Sequence, residues 1–198
     1  MNKGRLEAFS DGVLAIIITI MVLEMKVPHG DSFESLKPLI PVFISYVLSF
    51  IYIGIYWNNH HHMMHSVKHV NGNVLWANTH LLFWLSLVPF ATGWMGENNF
   101  TKWPVLIYGF VLCMAGIAYT ILTLALIRIN GKQSTLAIAV GRDRKGKLSI
   151  IFYLLGITVC FIHPFLGMAL YTATAVMWFI PDKRIESKMK DEHETMHN

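Results

Sequence analysis

Charge is scarce in this sequence. Asp, Glu, Lys and Arg make up 14% of its 198 residues, whereas water-soluble domains carry about a quarter; 54% of the residues are hydrophobic and the mean hydropathy is +0.47. A surface that poor in charge excludes a soluble globular domain and leaves an integral membrane protein, with the lipid bilayer as its solvent. Cysteine is scarcer still. Cys113 and Cys160 both sit within apolar runs, so neither a disulfide framework nor a thiolate zinc site can be built from them. They read as small apolar side chains. Internal repeats and low-complexity tracts are absent. The net charge of +4 does not point to nucleic acid, because the basic residues are confined to the polar segments between apolar runs and to the tail.

A hydrocarbon core about 30 Å thick needs roughly 20 apolar residues in a helix. Runs of that kind occupy residues 4–27, 38–57, 74–95 and 104–127. The stretch 148–180 is too long for one span and is cut by His163-Pro164, so it reads as two short spans joined by a tight turn. The expected fold is therefore all-α, with six transmembrane helices in a domain over residues 1–180 and a polar cytoplasmic tail over 181–198. If the N-terminus is cytoplasmic, thirteen of the sixteen Lys and Arg fall inside, and Lys26, Lys37 and Lys102 fall outside. That bias predicts both termini in the cytoplasm. A cleaved signal peptide is disfavoured for the first run, which contains Asp11 and reaches Glu24 with no small-residue cleavage site.

A carboxylate in a span costs about 2.5–3.5 kcal/mol at the helix centre, so Asp11 requires a partner. At about 100° per residue, Arg5, Phe9, Gly12, Ile16, Thr19 and Leu23 form one seam with Ile20 beside it, while Asp11 lies about 140° from Ile16. The seam and the Ser10-Asp11 side predict two separate roles for the two faces. A seam of Gly, Ile, Thr and Leu is also what ordinary helix packing offers.

The combination Arg5-x-x-x-Phe9-Ser10-Asp11 at the start of the first span resembles the signature of the transmembrane protein 175 family of potassium channels. His60 after Trp57, Asn78 early in the third span and Pro89-Phe90 late in it stand at matching spacing. The resemblance covers the first ninety or so residues by motif and the rest by span count. It implies a potassium-permeable cation channel, with potassium as the permeant ion and no other cofactor. It also implies a prokaryotic single-unit member in a cell membrane, forming a homotetramer whose first helices line a central pore. The family's constriction position falls on Ile16, with Ile20 and Leu23 as further apolar layers, and its potassium-preference position falls on Thr19. Arg5, Ser10, Asp11, His60 and Asn78 are expected to form one polar cluster. A Thr-Val-Gly-Tyr-Gly carbonyl filter and the Arg repeat of a voltage sensor are both missing, so modest selectivity is expected.

The run of histidines after the second span admits another chemistry. His61, His65 and His69 recur at four-residue steps, which on a helix would place three imidazoles on one face as a weak zinc-site candidate. No Asp or Glu stands beside them in sequence to orient the rings, which favours solvated histidines without metal. The alternative functions are a metal transporter or metal-dependent membrane enzyme using this run, and a scaffold without transport. Trp57, Trp94, Trp103 and Trp178 read as interfacial anchors.

Overall fold

The computed structural model describes residues 2–141 and 143–179 and is all-helical among them, without a strand. The polar tail expected over 181–198 lies outside the described residues. Helix α1 covers Lys3–Leu23, capped by Asn2, whose side chain accepts from the Gly4 amide. A 3-10 turn over Phe33–Leu39 leads into α2, Ile40–His65, with Pro41 in its first turn, where no amide partner is lost. This helix continues eight residues beyond the expected span and carries most of the histidine run with it. The expected third span is not continuous: it breaks at Leu87 into α3, Gly72–Ser86, and α4, Val88–Glu97. Pro89 has no amide to give and its ring would collide with the carbonyl one turn back, which accounts for the break.

Helix α5, Lys102–Asn130, is the longest, and it ends on Gly131 at φ +92°, a left-handed conformation suited to glycine. The short α6, Thr135–Val140, was not expected from the sequence. Then come α7, Arg144–Val159, and α8, Pro164–Phe179, separated at the expected His163-Pro164 cut. By length and composition four segments among the described residues are apolar and long enough to cross a membrane: Lys3–Leu23, Phe33–His65, Gly72–Glu97 and Lys102–Asn130.

Contacts at the two ends sort the chain by side. Lys3 Nζ donates to the carbonyls of Met64 (3.0 Å) and Val67 (3.2 Å), and the amides of Lys68 and His69 donate to Asn130 Oδ1. At the other end Lys26 pairs with Glu97 at 2.7 Å, and Lys102 lies over the rings of Trp103 and Phe161. Of the basic positions assigned to one side by counting, Lys3 and Lys68 therefore meet at one end of the bundle. Close packing is centred on Tyr171 of α8, which is fully buried; a Cβ at Gly109 of α5 or Gly156 of α7 would overlap its ring. Beside it a buried hydroxyl group of three, Ser49, Thr92 and Tyr108, satisfies its own hydrogen bonds across α2, α4 and α5.

Candidate functional site

Helix α1 packs on α2, α3 and α4. Leu6, Ser10, Leu14, Ile17 and Met21 form the buried side. The opposite side is the seam read from the sequence, and the subunit leaves it uncovered: Phe9 and Ile16 are 58% exposed, Ile20 41% and Leu23 78%, with Gly12 and Thr19 also exposed. Six residues recurring over four turns therefore present an apolar stripe with one hydroxyl. Thr19 Oγ1 donates to the Ile16 carbonyl at 2.8 Å, which fixes the hydroxyl against the helix.

The expected single polar cluster is instead two separate arrangements. One is buried and linear: Ser10 Oγ donates to the Leu6 carbonyl at 2.9 Å, Asn78 Nδ2 donates to Ser10 Oγ at 2.9 Å, and His60 Nε2 meets Asn78 Oδ1 at 2.8 Å. Because Asn78 Oδ1 can only accept, His60 carries its proton on Nε2. Its Nδ1 is buried with no hydrogen-bond partner among the described residues. This chain ties α1, α3 and α2 together through groups that would each be costly to bury alone.

The second arrangement holds Asp11, which is half-buried at the edge between α1 and α2. Its Oδ1 accepts from the indole Nε1 of Trp57 at 3.0 Å. Trp57 was read as an interfacial anchor; it is the partner that Asp11 required, a relationship that depends on how α1 and α2 meet. One turn further along α2, His61 stacks on both Trp57 and His65, with its Nδ1 4.0 Å from Glu7 Oε1. Arg5 is exposed and belongs to neither arrangement. The geometry corrects the three-histidine face as well. Helix α2 ends at His65, so His69 lies in the following turn and does not share a face with His61 and His65. Among the described residues no group of three or more His, Cys, Asp or Glu is placed to hold a metal.

Lys26 and Glu97 close the far end of α1 onto the end of α4. The Glu97 hydrogen bond and charge raise the Lys26 ammonium pKa above its ordinary value.

Comparison with known proteins bears on this arrangement directly. The family described as endosomal/lysosomal potassium channel TMEM175 matches residues 5–89, which include Arg5, Phe9, Ser10, Asp11, His60 and Asn78. A potassium channel of Chryseobacterium sp. (strain P1-3) is 58% identical over 191 residues, 96% of this chain and 100% of that protein. The chain belongs to the TMEM175 family. A crystal structure of a lysosomal potassium-selective channel TMEM175 homolog from Chamaesiphon minutus has the same fold, with a TM-score of 0.79 at 26% identity over 91% of this chain and 97% of that one. The human endosomal/lysosomal proton channel TMEM175 is 31% identical over 103 residues, 46% of this chain and 20% of its own length. TMEM175 proteins are ion channels rather than enzymes, and the metal-transporter alternative has no support among these relatives.

Proposed function

We propose that four copies of this chain surround a potassium-permeable pore lined by α1, with Ile16, Ile20 and Leu23 as its constriction and Thr19 as the ring that favours potassium. The observation that carries the reading is the uncovered stripe on α1, which one subunit cannot enclose and a fourfold assembly would turn inward. An apolar ring narrow enough to exclude water is a barrier to a hydrated ion by dewetting, so the resting state is closed and opening requires the helices to spread. Thr19 then offers oxygens beside the dry ring.

Each subunit crosses the bilayer six times in this reading, through α1, α2, the broken α3–α4, α5, α7 and α8. Helices α7 and α8, with 16 residues each, are about 24 Å long, and local thinning of the bilayer accommodates the shortfall. The end that gathers Lys3, Lys68 and Arg128 faces the cytoplasm of a prokaryotic cell, with both termini on that side. The buried Ser10–Asn78–His60 chain and the Asp11–Trp57 bond hold α1 in place rather than contact the ion.

Proton permeation is a second reading, favoured by the name of the animal relatives. The stripe holds no titratable side chain between Phe9 and Leu23, so protons would have to pass along water. The test is the mass of the detergent-solubilised oligomer together with potassium, sodium and proton flux from reconstituted liposomes. A tetramer that passes potassium is expected. A monomer silent to all three ions overturns the channel reading, and proton flux without potassium flux selects the second one.

A further inference from the structure

Three adjoining cavities along α2 share Asn59 and Trp178. The largest, about 320 Å³, is a groove beside Phe50, Gly54 and Asn58 of α2, bounded by Phe179 of α8. A second, about 160 Å³, opens where His62 and Ser66 at the end of α2 meet Arg144 and Lys145 at the start of α7. The third, about 50 Å³, is a pit among Tyr56, Tyr119 and Tyr153. One end of the series carries Arg144 and Lys145 together with the Asp143 carboxylate, and the rest is mainly apolar and aromatic, which is the chemistry of an amphiphile.

Charge strengthens that polarity. Between positions 128 and 147 the sequence places Arg128, Lys132, Arg142, Arg144, Lys145 and Lys147 against one acid, Asp143. Asp143 caps α7 through Oδ1, which accepts from the Gly146 amide at 3.1 Å, and its single negative charge leaves the segment net cationic. Trp178 is held in position by donating to Ser149 Oγ at 2.7 Å, and Lys145 Nζ lies 5.7 Å from the centre of its ring. The wall between the charged end and the groove is therefore a fixed indole, the side chain that favours the headgroup level of a membrane.

We propose that this groove binds an anionic phospholipid, with the phosphodiester headgroup against Arg144 and Lys145 and an acyl chain along Gly54 and Phe179. A twofold pairing of two chains through this groove fits less well, because it would set the same basic segments against each other. Basic pockets between helices at the positive side of a membrane protein are suited to anionic headgroups. The inference rests on membrane embedding and not on ion conduction, so its test reads binding and a failure of the channel reading would leave it standing.

The experiment is native mass spectrometry of the detergent-purified protein with phosphatidylglycerol, phosphatidylcholine and inorganic phosphate, singly and in competition. Phosphatidylglycerol should be retained preferentially, and inorganic phosphate should not displace it. Removing both cations in Arg144→Gln/Lys145→Gln should weaken its binding by about fivefold per charge. Arg128→Gln/Lys132→Gln removes the same charge from the same segment and should leave binding within about twofold. Gly54→Leu fills the groove at a position where a Cβ meets nothing within 4 Å, and should weaken both lipids. Equal retention of the two lipids, equal loss in the control pair, or displacement by inorganic phosphate would overturn the proposal. If the Arg144/Lys145 variant does not fold, the wild-type competition and Gly54→Leu decide it on the same terms.

Discussion

Thr19 donates its only hydroxyl hydrogen to the carbonyl of Ile16, at 2.8 Å. The lone pairs of Oγ1 are what remain for anything passing the stripe, so Thr19 can act toward a cation only as an acceptor. The same bond sets an apolar side chain and an oxygen one turn apart on one face of α1.

Replacing that oxygen isolates its role. Thr19→Val keeps the side-chain size, so potassium conduction should persist while the potassium-to-sodium ratio declines toward one; Thr19→Ser, which retains the hydroxyl, should preserve the preference. Flux of both ions from liposomes measures this. An unchanged ratio in Thr19→Val would remove the hydroxyl ring from any account of selectivity.

Asp11 should matter to assembly more than to permeation. Asp11→Ala leaves the Trp57 indole without its acceptor and loses a charge-assisted hydrogen bond of about 1.5–3 kcal/mol, so the yield of assembled oligomer should decline. Asp11→Asn keeps an acceptor oxygen and should restore most of the yield. Normal assembly of Asp11→Ala, with altered conductance as its only defect, would place Asp11 on the pore face instead.

The buried chain through Asn78 makes a prediction of non-additivity. Asn78→Leu strands His60, whose other ring nitrogen already lacks a partner, at about 1–3 kcal/mol, while Ser10 keeps its bond to the Leu6 carbonyl and loses only a donor, and the melting temperature should fall accordingly. Removing all three polar groups, as Ser10→Ala/His60→Leu/Asn78→Leu, should be less damaging than Asn78→Leu alone. A triple variant with the summed loss of its three parts would show that the hydrogen bonds are not coupled.

Chelation should leave conduction intact. His61 and His65 remain stacked on α2, but His69 has left the helix, and the Glu7 carboxylate is no closer than 4.0 Å to His61. Zinc can then modulate flux at most. Complete loss of flux in chelator-treated protein, with zinc restoring it, would show a required metal.

The stripe on α1 was legible in the sequence because helical periodicity and membrane hydropathy act on the same residues: the side chains that cannot find an intrasubunit partner recur every three to four positions. The cut at His163-Pro164 was legible for a local reason, the missing proline amide. Pro89 carried the same signal within the third run, and the break at Leu87 was readable there. Trp57 as the partner of Asp11, and the split of the expected polar cluster in two, depend on the crossing of α1 and α2 and have no local signature. The end of α2 at His65 was equally hidden, since no glycine or proline marks it and the Asn71-Gly72 turn signal comes only later. Glu7 escaped notice because its proximity to His61 joins positions 54 residues apart.

The central claim, that the uncovered face of α1 is the closed gate of a pore, is tested most directly by basal potassium flux through Ile16→Asn. A polar side chain at that ring lets water occupy the constriction and removes the dewetting barrier. Liposomes carrying Ile16→Asn at wild-type oligomer mass should then release potassium faster than wild type without any opening stimulus. Flux indistinguishable from wild type, in protein that assembles normally, would contradict the account and remove α1 from the pore.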